Sequence, residues 1–279
     1  MIVSAIYIYP VKSCRGISVQ EAEVTPAGFR RDREFLVVDK DGGFLTQRTT
    51  PALALVEVEL AGDGLRLRVP EAGSLRLPWP SGEPAHPMAV KIWRDTVTAW
   101  DAGDEAAAWF SEYLGRPCRV VRRGNGFRRE IPPAKVPEVH REALPDPLVS
   151  FADAFPYLIA SESSLQDLNS RLDRPVPMDR FRPNIVIRGC DCPYVEDRWQ
   201  VIRIGATTFR HGGPCVRCVV TTTDQRTLER SPEPLRTLAT YRRVPEGGVI
   251  FAVNFFSDRH DGAVRVGMPV EVVASGIAG

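Results

Sequence analysis

The segment Pro214-Cys215-Val216-Arg217-Cys218 places two thiols three positions apart with a guanidinium between them. Cysteines at this spacing serve three chemistries: half of a zinc site, a redox dithiol, or one thiolate acting alone as ligand to a catalytic metal. Zinc would need a second pair. Cys190 and Cys192 are the other close cysteines, but one intervening residue is not the usual knuckle spacing. A thioredoxin-type dithiol opens a helix after a strand. Here Val219-Val220-Thr221-Thr222-Thr223 follows, a β-branched run that predicts a strand. Two inert buried thiols are the bland alternative. Arg217 speaks against it, because a guanidinium is a partner for a thiolate. Spacing alone leaves these readings open.

A second chemistry is spread over three short motifs: Tyr9-Pro10-Val11-Lys12-Ser13-Cys14-Arg15-Gly16, Asp32-Arg33 and Phe181-Arg182-Pro183-Asn184. Each by itself reads as solvated loop charge. Together they supply what a phosphate-bearing cofactor needs: forked donors from Arg, a point charge from Lys and a hydroxyl from Ser. Neither a glycine-rich P-loop nor a dinucleotide fingerprint is present to do this work instead. The four histidines stand at no metal-ligand spacing, and His211 reads as an ordinary strand-end residue.

These residues need elements to hold them. Residues 35–38 and 44–45 flank Asp39-Lys40-Asp41-Gly42-Gly43, a strand–turn–strand pattern. Residues 56–60 and 65–69 alternate apolar and charged on either side of Ala61-Gly62-Asp63-Gly64, a hairpin with one solvated face. A third strand is expected within 90–100. Ala106, Trp109, Phe110, Tyr113 and Leu114 repeat at helical spacing and stop at Gly115-Arg116-Pro117. The Arg-, Pro- and Gly-rich stretch up to residue 146 predicts a long connection between domains. Beyond it come a strand at 156–160 and a serine-capped helix at 161–172. Strands then follow at 185–187, 201–204, 207–210, 219–223, 249–253, 264–266 and 270–273. Many short strands separated by turn residues suggest a barrel.

At 279 residues the chain is long enough for two cores, and a net charge of +1 gives no general attraction to nucleic acid or membranes. The opening apolar residues lack a basic n-region and read as a first strand, and no run approaches a membrane span. Six cysteines are too sparse for a disulfide scaffold, so a reducing cytoplasm is the expected location.

The motif from Tyr9 to Gly16 resembles the opening of the N-terminal β-barrel of MOSC proteins. Phe181-Arg182-Pro183-Asn184-Ile185-Val186-Ile187, then the stretch from Pro214 to Asp224, resembles the MOSC domain itself, and Val266-Gly267-Met268-Pro269-Val270 fits its close. The resemblance spans nearly the whole chain in motif order. By pattern it points to the amidoxime-reducing-component and YcbX-like branch of that family.

It implies a mainly β (α+β) protein: an N-terminal MOSC β-barrel domain over 1–122, a linker over 123–146, and a C-terminal MOSC β-barrel domain with a few helices over 147–279. It also implies a molybdenum–molybdopterin cofactor between the domains. The implied activity reduces N-hydroxylated compounds (amidoximes, hydroxylamines, N-hydroxylated bases) to amines, R-NHOH going to R-NH2 and water with two electrons and two protons. Pyridoxal phosphate is not expected.

Carried over by position, Cys218 is the implied molybdenum ligand, and a soft thiolate suits that role. Lys12, Ser13 and Arg33 match cofactor-binding residues of the first domain, and Arg182, Asn184 and Arg217 match those of the second. Val216 stands where the animal enzymes carry serine, so only its backbone could serve. Asp224 matches an acid near the metal and joins Cys218 as a catalytic candidate. Asn254 aligns with later strands, without a role. Electrons are expected from a separate flavin or iron–sulfur reductase, since neither a dinucleotide fingerprint nor the spacing of a plant-type cluster is present. The alternative is a sulfur carrier or sulfurtransferase using a Cys218 persulfide in cofactor sulfuration. The full set of Lys12, Ser13 and Arg33 favours a bound cofactor. A zinc-stabilised protein that binds a partner is the third reading.

Overall fold

The computed structural model describes all residues except 80–85, 125, 143–146, 246, 259–261 and 277–279. Its largest element is an eight-stranded sheet. The order is Val270–Ser275, Trp199–Ile204, Thr207–Val216, Ile250–Ser257, Tyr157–Ser161, Ile185–Arg188, Ile2–Ile8 and Ile17–Val19. All neighbours are antiparallel except Tyr157–Ser161 and Ile185–Arg188, which run parallel and so need a crossover. Helix Glu162–Ser170 lies in that crossover, with Ser161 Oγ accepting from Ser164 N–H as its N-cap.

The first strand belongs to the second half of the chain. Ile6 pairs with Ile185 and Val3 with Ile187, and Val3, Ile6, Ile8, Val24 and Phe29 bury against Trp199, Phe209 and Phe255. Glu21–Thr25 likewise pairs with Ala263–Arg265. A cut at residue 122 therefore does not separate the sheets. The composition of a connection marks where the chain crosses over, and says nothing about which sheet a distant strand completes.

What remains of the first half is a four-stranded sheet and a three-stranded one. The four-stranded order is Phe35–Asp39, Cys118–Arg122, Asp95–Asp101 and Pro87–Ile92; the other is Glu57–Ala61, Gly64–Val69 and Gly73–Pro78. Helix Asp104–Leu114 packs Ala106, Trp109 and Phe110 into their core and ends at Gly115 in the left-handed conformation (φ 64°).

Some expectations change. The third strand within 90–100 is a hairpin turning at Trp93 (φ 56°), and the strands Gly73–Pro78 and Cys118–Arg122 had no signal strong enough to read. Residues 219–223 are not a strand but contain the 3-10 turn Val219–Thr222. Thr221 Oγ1 donates to the Cys218 carbonyl (3.0 Å) and Thr222 Oγ1 to that of Val219 (2.7 Å). Hydroxyls that bond back three residues override the β preference of their branched side chains. The connecting stretch carries the turn Pro133–Lys135 and helix Glu138–Arg141, and it buries Ile131 and Val136 against Phe155 and Phe256. Residues 125 and 143–146 of the expected linker, and 277–279 of the expected second domain, lie outside the described residues. Among the described residues no helix is long and apolar enough to cross a membrane.

Ile6→Ala is expected to destabilise the protein by about 2–5 kcal/mol. Amide hydrogen exchange should rise first in strand Ile185–Arg188. Exchange rising only in the sheets of residues 35–122 would contradict the shared core.

Candidate functional site: a basic cavity between the two halves

A cavity of about 480 Å³ opens where the two halves meet. Lys12, Ser13 and Arg33 line it from one side. Arg182, Asn184, Val216, Arg217 and Cys218 line it from the other, with Asn254. Residues from Lys12 to Asn254 thus share one volume, most of them held by segments that enter or leave a strand. Lys12 and Ser13 follow Ile2–Ile8, and Lys12 N–H donates to Phe35 O (2.9 Å). Arg182 and Asn184 lead into Ile185–Arg188. Cys215 and Val216 end the strand Thr207–Val216, and Arg217 N–H continues its pairing by donating to Val249 O (2.7 Å). Gly212 lines the cavity too. A Cβ there would stand 2.5 Å from the Phe155 ring, so a larger residue would push that ring into the site.

The charges are held in place from behind. Asp32, 1% exposed, accepts from Tyr9 N–H (2.7 Å), from Asn184 Nδ2 (3.2 Å) and, at close range, from Arg33 Nη1. Asn184 also donates to Tyr7 O (3.2 Å), while its Oδ1 accepts from Leu158 N–H (3.2 Å) and Arg33 Nη1 (3.3 Å). Both amide protons and both carbonyl lone pairs are therefore committed within the protein. Asn184 borders the cavity, but its work is to fix Arg33 and Asp32.

Lys12 Nζ donates to Phe151 O (2.8 Å) and Asp153 Oδ1 (2.5 Å). Burial pulls its pKa down to about 8 in spite of Asp153 beside it. Partial desolvation by its neighbours would raise the pKa of Asp153, but Lys12 and Arg48 hold the carboxyl well below the usual carboxylate range.

Arg48 completes this group. Its Nη2 donates to Asp153 Oδ2 (3.1 Å) and its guanidinium lies over the Trp93 ring (4.7 Å). Burial opposes its charge, yet Asp153 and Cys218 outweigh burial and raise its pKa. Arg217 Nη1 meets Cys215 Sγ (2.8 Å) and Nη2 donates to Phe181 O (2.7 Å). Sequence reasoning missed Gln47, Arg48, Lys135 and Asp153, all of which line the cavity. They stand outside the recognisable motifs, and only the fold brings them in.

Asp224 is not among the residues that line this cavity. It borders a second one, where Asp224 Oδ2 accepts from Arg180 Nη2 (2.9 Å) and Oδ1 accepts from the Arg226 and Thr227 amides (2.9 and 3.0 Å). Arg180 in turn donates to Thr221 O (3.3 Å), so Asp224 braces the loop after Cys218. The acid that the resemblance implies near the metal faces Arg180 and its own loop, outside the lining of the cavity.

Cys190 and Cys192 do not join Cys215 and Cys218. Cys190 Sγ sits 3.7 Å from the Met1 sulfur, and among the described residues no three His, Cys, Asp or Glu side chains form a metal-holding group. A tetrahedral zinc site needs such a group.

The donor set fits an anionic, metal-bearing group. Several cations face one volume, Arg182 has no carboxylate within ion-pair distance among the described residues, and the soft thiol of Cys218 shares the wall. In the cofactor-free chain, affinity for inorganic phosphate should fall as pH rises through about 8, where Lys12 loses its charge. Lys12→Arg, which keeps its charge, should flatten that fall. A profile equally steep in both proteins would remove Lys12 from the anion site.

Residues 1–117 match the MOSC N-terminal beta barrel domain and residues 146–271 the MOSC domain. Mitochondrial amidoxime-reducing component 1 of Mus musculus is 36% identical over 282 residues, spanning 96% of this chain and 81% of the relative. The Homo sapiens component 1 is also 36% identical, with 96% and 82% covered. Mitochondrial amidoxime reducing component 2 of Bos taurus is 35% identical with the same coverage. A mainly β protein carrying both domains in this order, similar over nearly its full length to such relatives, belongs to the MOSC-domain family that includes the mitochondrial amidoxime-reducing components.

Proposed function

We propose that the protein is an oxidoreductase that holds a molybdenum–molybdopterin cofactor in the cavity and reduces small N-hydroxylated compounds to amines. One observation carries the reading: Lys12, Ser13, Arg33, Arg182, Arg217 and Cys218, drawn from both halves of the chain, line one volume. The names of the similar proteins give the substrate class.

Each residue has a task in this reading. Lys12, Arg33 and Arg182 anchor phosphate through charge-assisted hydrogen bonds, each contributing on the order of 1.5–3 kcal/mol. Cys218 offers the soft ligand. The cofactor supplies the two-electron redox chemistry when bound. Asp153, 48% exposed and held ionised by Lys12 and Arg48, accepts a hydrogen bond from a protonated substrate. It cannot store a proton for the reaction near neutral pH. The two protons of the reaction therefore come from a source other than Asp153.

Electrons come from a separate flavin or iron–sulfur reductase, because the sequence carries no nicotinamide-binding fingerprint. Six free thiols suit a reducing compartment such as the cytoplasm.

Cys218→Ser should lower bound molybdenum at least about tenfold, a hydroxyl being a poor substitute for a soft thiolate. Cys215→Ser should retain most of it, and equal loss in both would point to a dithiol. The loaded wild-type chain should reduce an amidoxime with a chemical reductant, and should not turn over with NADH or NADPH alone. A loaded chain that transfers sulfur and leaves amidoximes untouched would move the assignment to a Cys218 persulfide carrier.

A further inference from the structure

Tyr9 is 2% exposed and does not itself line the cavity. Its ring nevertheless meets two of the arginines that do. The Arg33 guanidinium carbon lies 4.6 Å from the ring centroid and that of Arg182 lies 4.3 Å away, both well inside the range of cation–π attraction.

The main chain converges on the same residue. Tyr9 O accepts from Arg33 N–H (2.9 Å), Tyr9 Oη donates to Pro183 O (2.9 Å) next to Arg182, and Tyr9 N–H donates to Asp32 (2.7 Å). Arg33 and Arg182 both take positive φ angles, 50° and 55°. Such backbones persist in non-glycine residues where neighbours over-determine them.

Two arginines facing one cavity repel each other, and burial of Arg182 adds to the difficulty. Asp32 offsets the charge of Arg33 at Nη1, while Arg182 has no carboxylate within ion-pair distance among the described residues. The Tyr9 face attracts both cations without occupying a guanidinium N–H, so it steadies them without competing with an incoming anion.

We propose that Tyr9 is the positioning residue of the anion site, holding Arg33 and Arg182 ready before the phosphate of a ligand arrives. This rests on the cofactor reading above and adds to it a residue that touches no ligand.

The test is calorimetric titration of the cofactor-free full chain with inorganic phosphate, beside thermal melting. Tyr9→Leu should weaken phosphate binding on the order of tenfold, whereas Tyr9→Phe, which keeps the ring, should retain most of the affinity. Tyr9→Leu should cost less affinity in an Arg182→Met background than in the wild type, because one of the two arginines through which Tyr9 acts is already gone. A merely structural Tyr9 would lower the melting temperature and leave the affinity of the folded protein unchanged. If Tyr9→Leu does not fold, Tyr9→Met carries the same comparison. Wild-type affinity in the aliphatic variant, or penalties that add in the double variant, would overturn the role of Tyr9 and leave the cofactor reading standing. A wild-type chain that binds no phosphate would overturn both.

Discussion

The buried carboxylate of Asp32 is the contact on which the site depends. It is almost wholly excluded from water, and a buried charge is tolerated only when it is paired and hydrogen-bonded. Tyr9, Arg33 and Asn184 meet that need together. In doing so they draw the segment after the first strand, the turn before Phe35–Asp39 and the entry to Ile185–Arg188 to one point. Removing the carboxylate would take from Arg33 its ion-pair partner and from Asn184 one of its two acceptors. The first strand hydrogen-bonds into the sheet of the second half, so this knot forms inside a shared core and is not a contact between two finished domains.

The cavity is arranged by division of labour. Some polar groups are spent on the protein: all four hydrogen-bonding positions of Asn184, and the Asp224 carboxylate with Arg180. Others line the cavity with few protein partners, Arg182 above all, whose Nη1 has Gln225 Oε1 at 3.5 Å. Asp153 stands between these roles. Lys12 and Arg48 keep it ionised, and it keeps their cations in place at the cavity wall. The wall therefore holds a basic anchor for an anion, a soft thiol at Cys218, and one ionised acid that does not fully neutralise the cations around it.

Much of this was legible in the sequence, for identifiable reasons. Lys12, Ser13, Arg33, Arg182, Arg217 and Cys218 lie in short motifs whose order could be matched to a family, and the fold brings them together. Helix Asp104–Leu114 was legible because its apolar spacing and its glycine stop agree. The turn after Cys218 was not, because threonine side chains chose a local hydrogen bond over the β preference of their type. Asp224 was carried over from a family position, and a match of position does not say which way a carboxylate faces after a turn. Arg48 and Asp153 were invisible because they come from unremarkable loops, and their importance arises from pairing across 105 positions.

The central claim is that Cys218 binds molybdenum in a cofactor anchored by Lys12, Arg33 and Arg182. X-ray absorption at the molybdenum edge of the loaded protein tests it most directly. The account predicts a first coordination sphere that includes the Cys218 sulfur, so that residual metal in Cys218→Ser shows one sulfur neighbour fewer than the wild type. An unchanged sulfur count in that variant, or a wild-type protein that takes up no molybdenum when the cofactor is supplied, would contradict it.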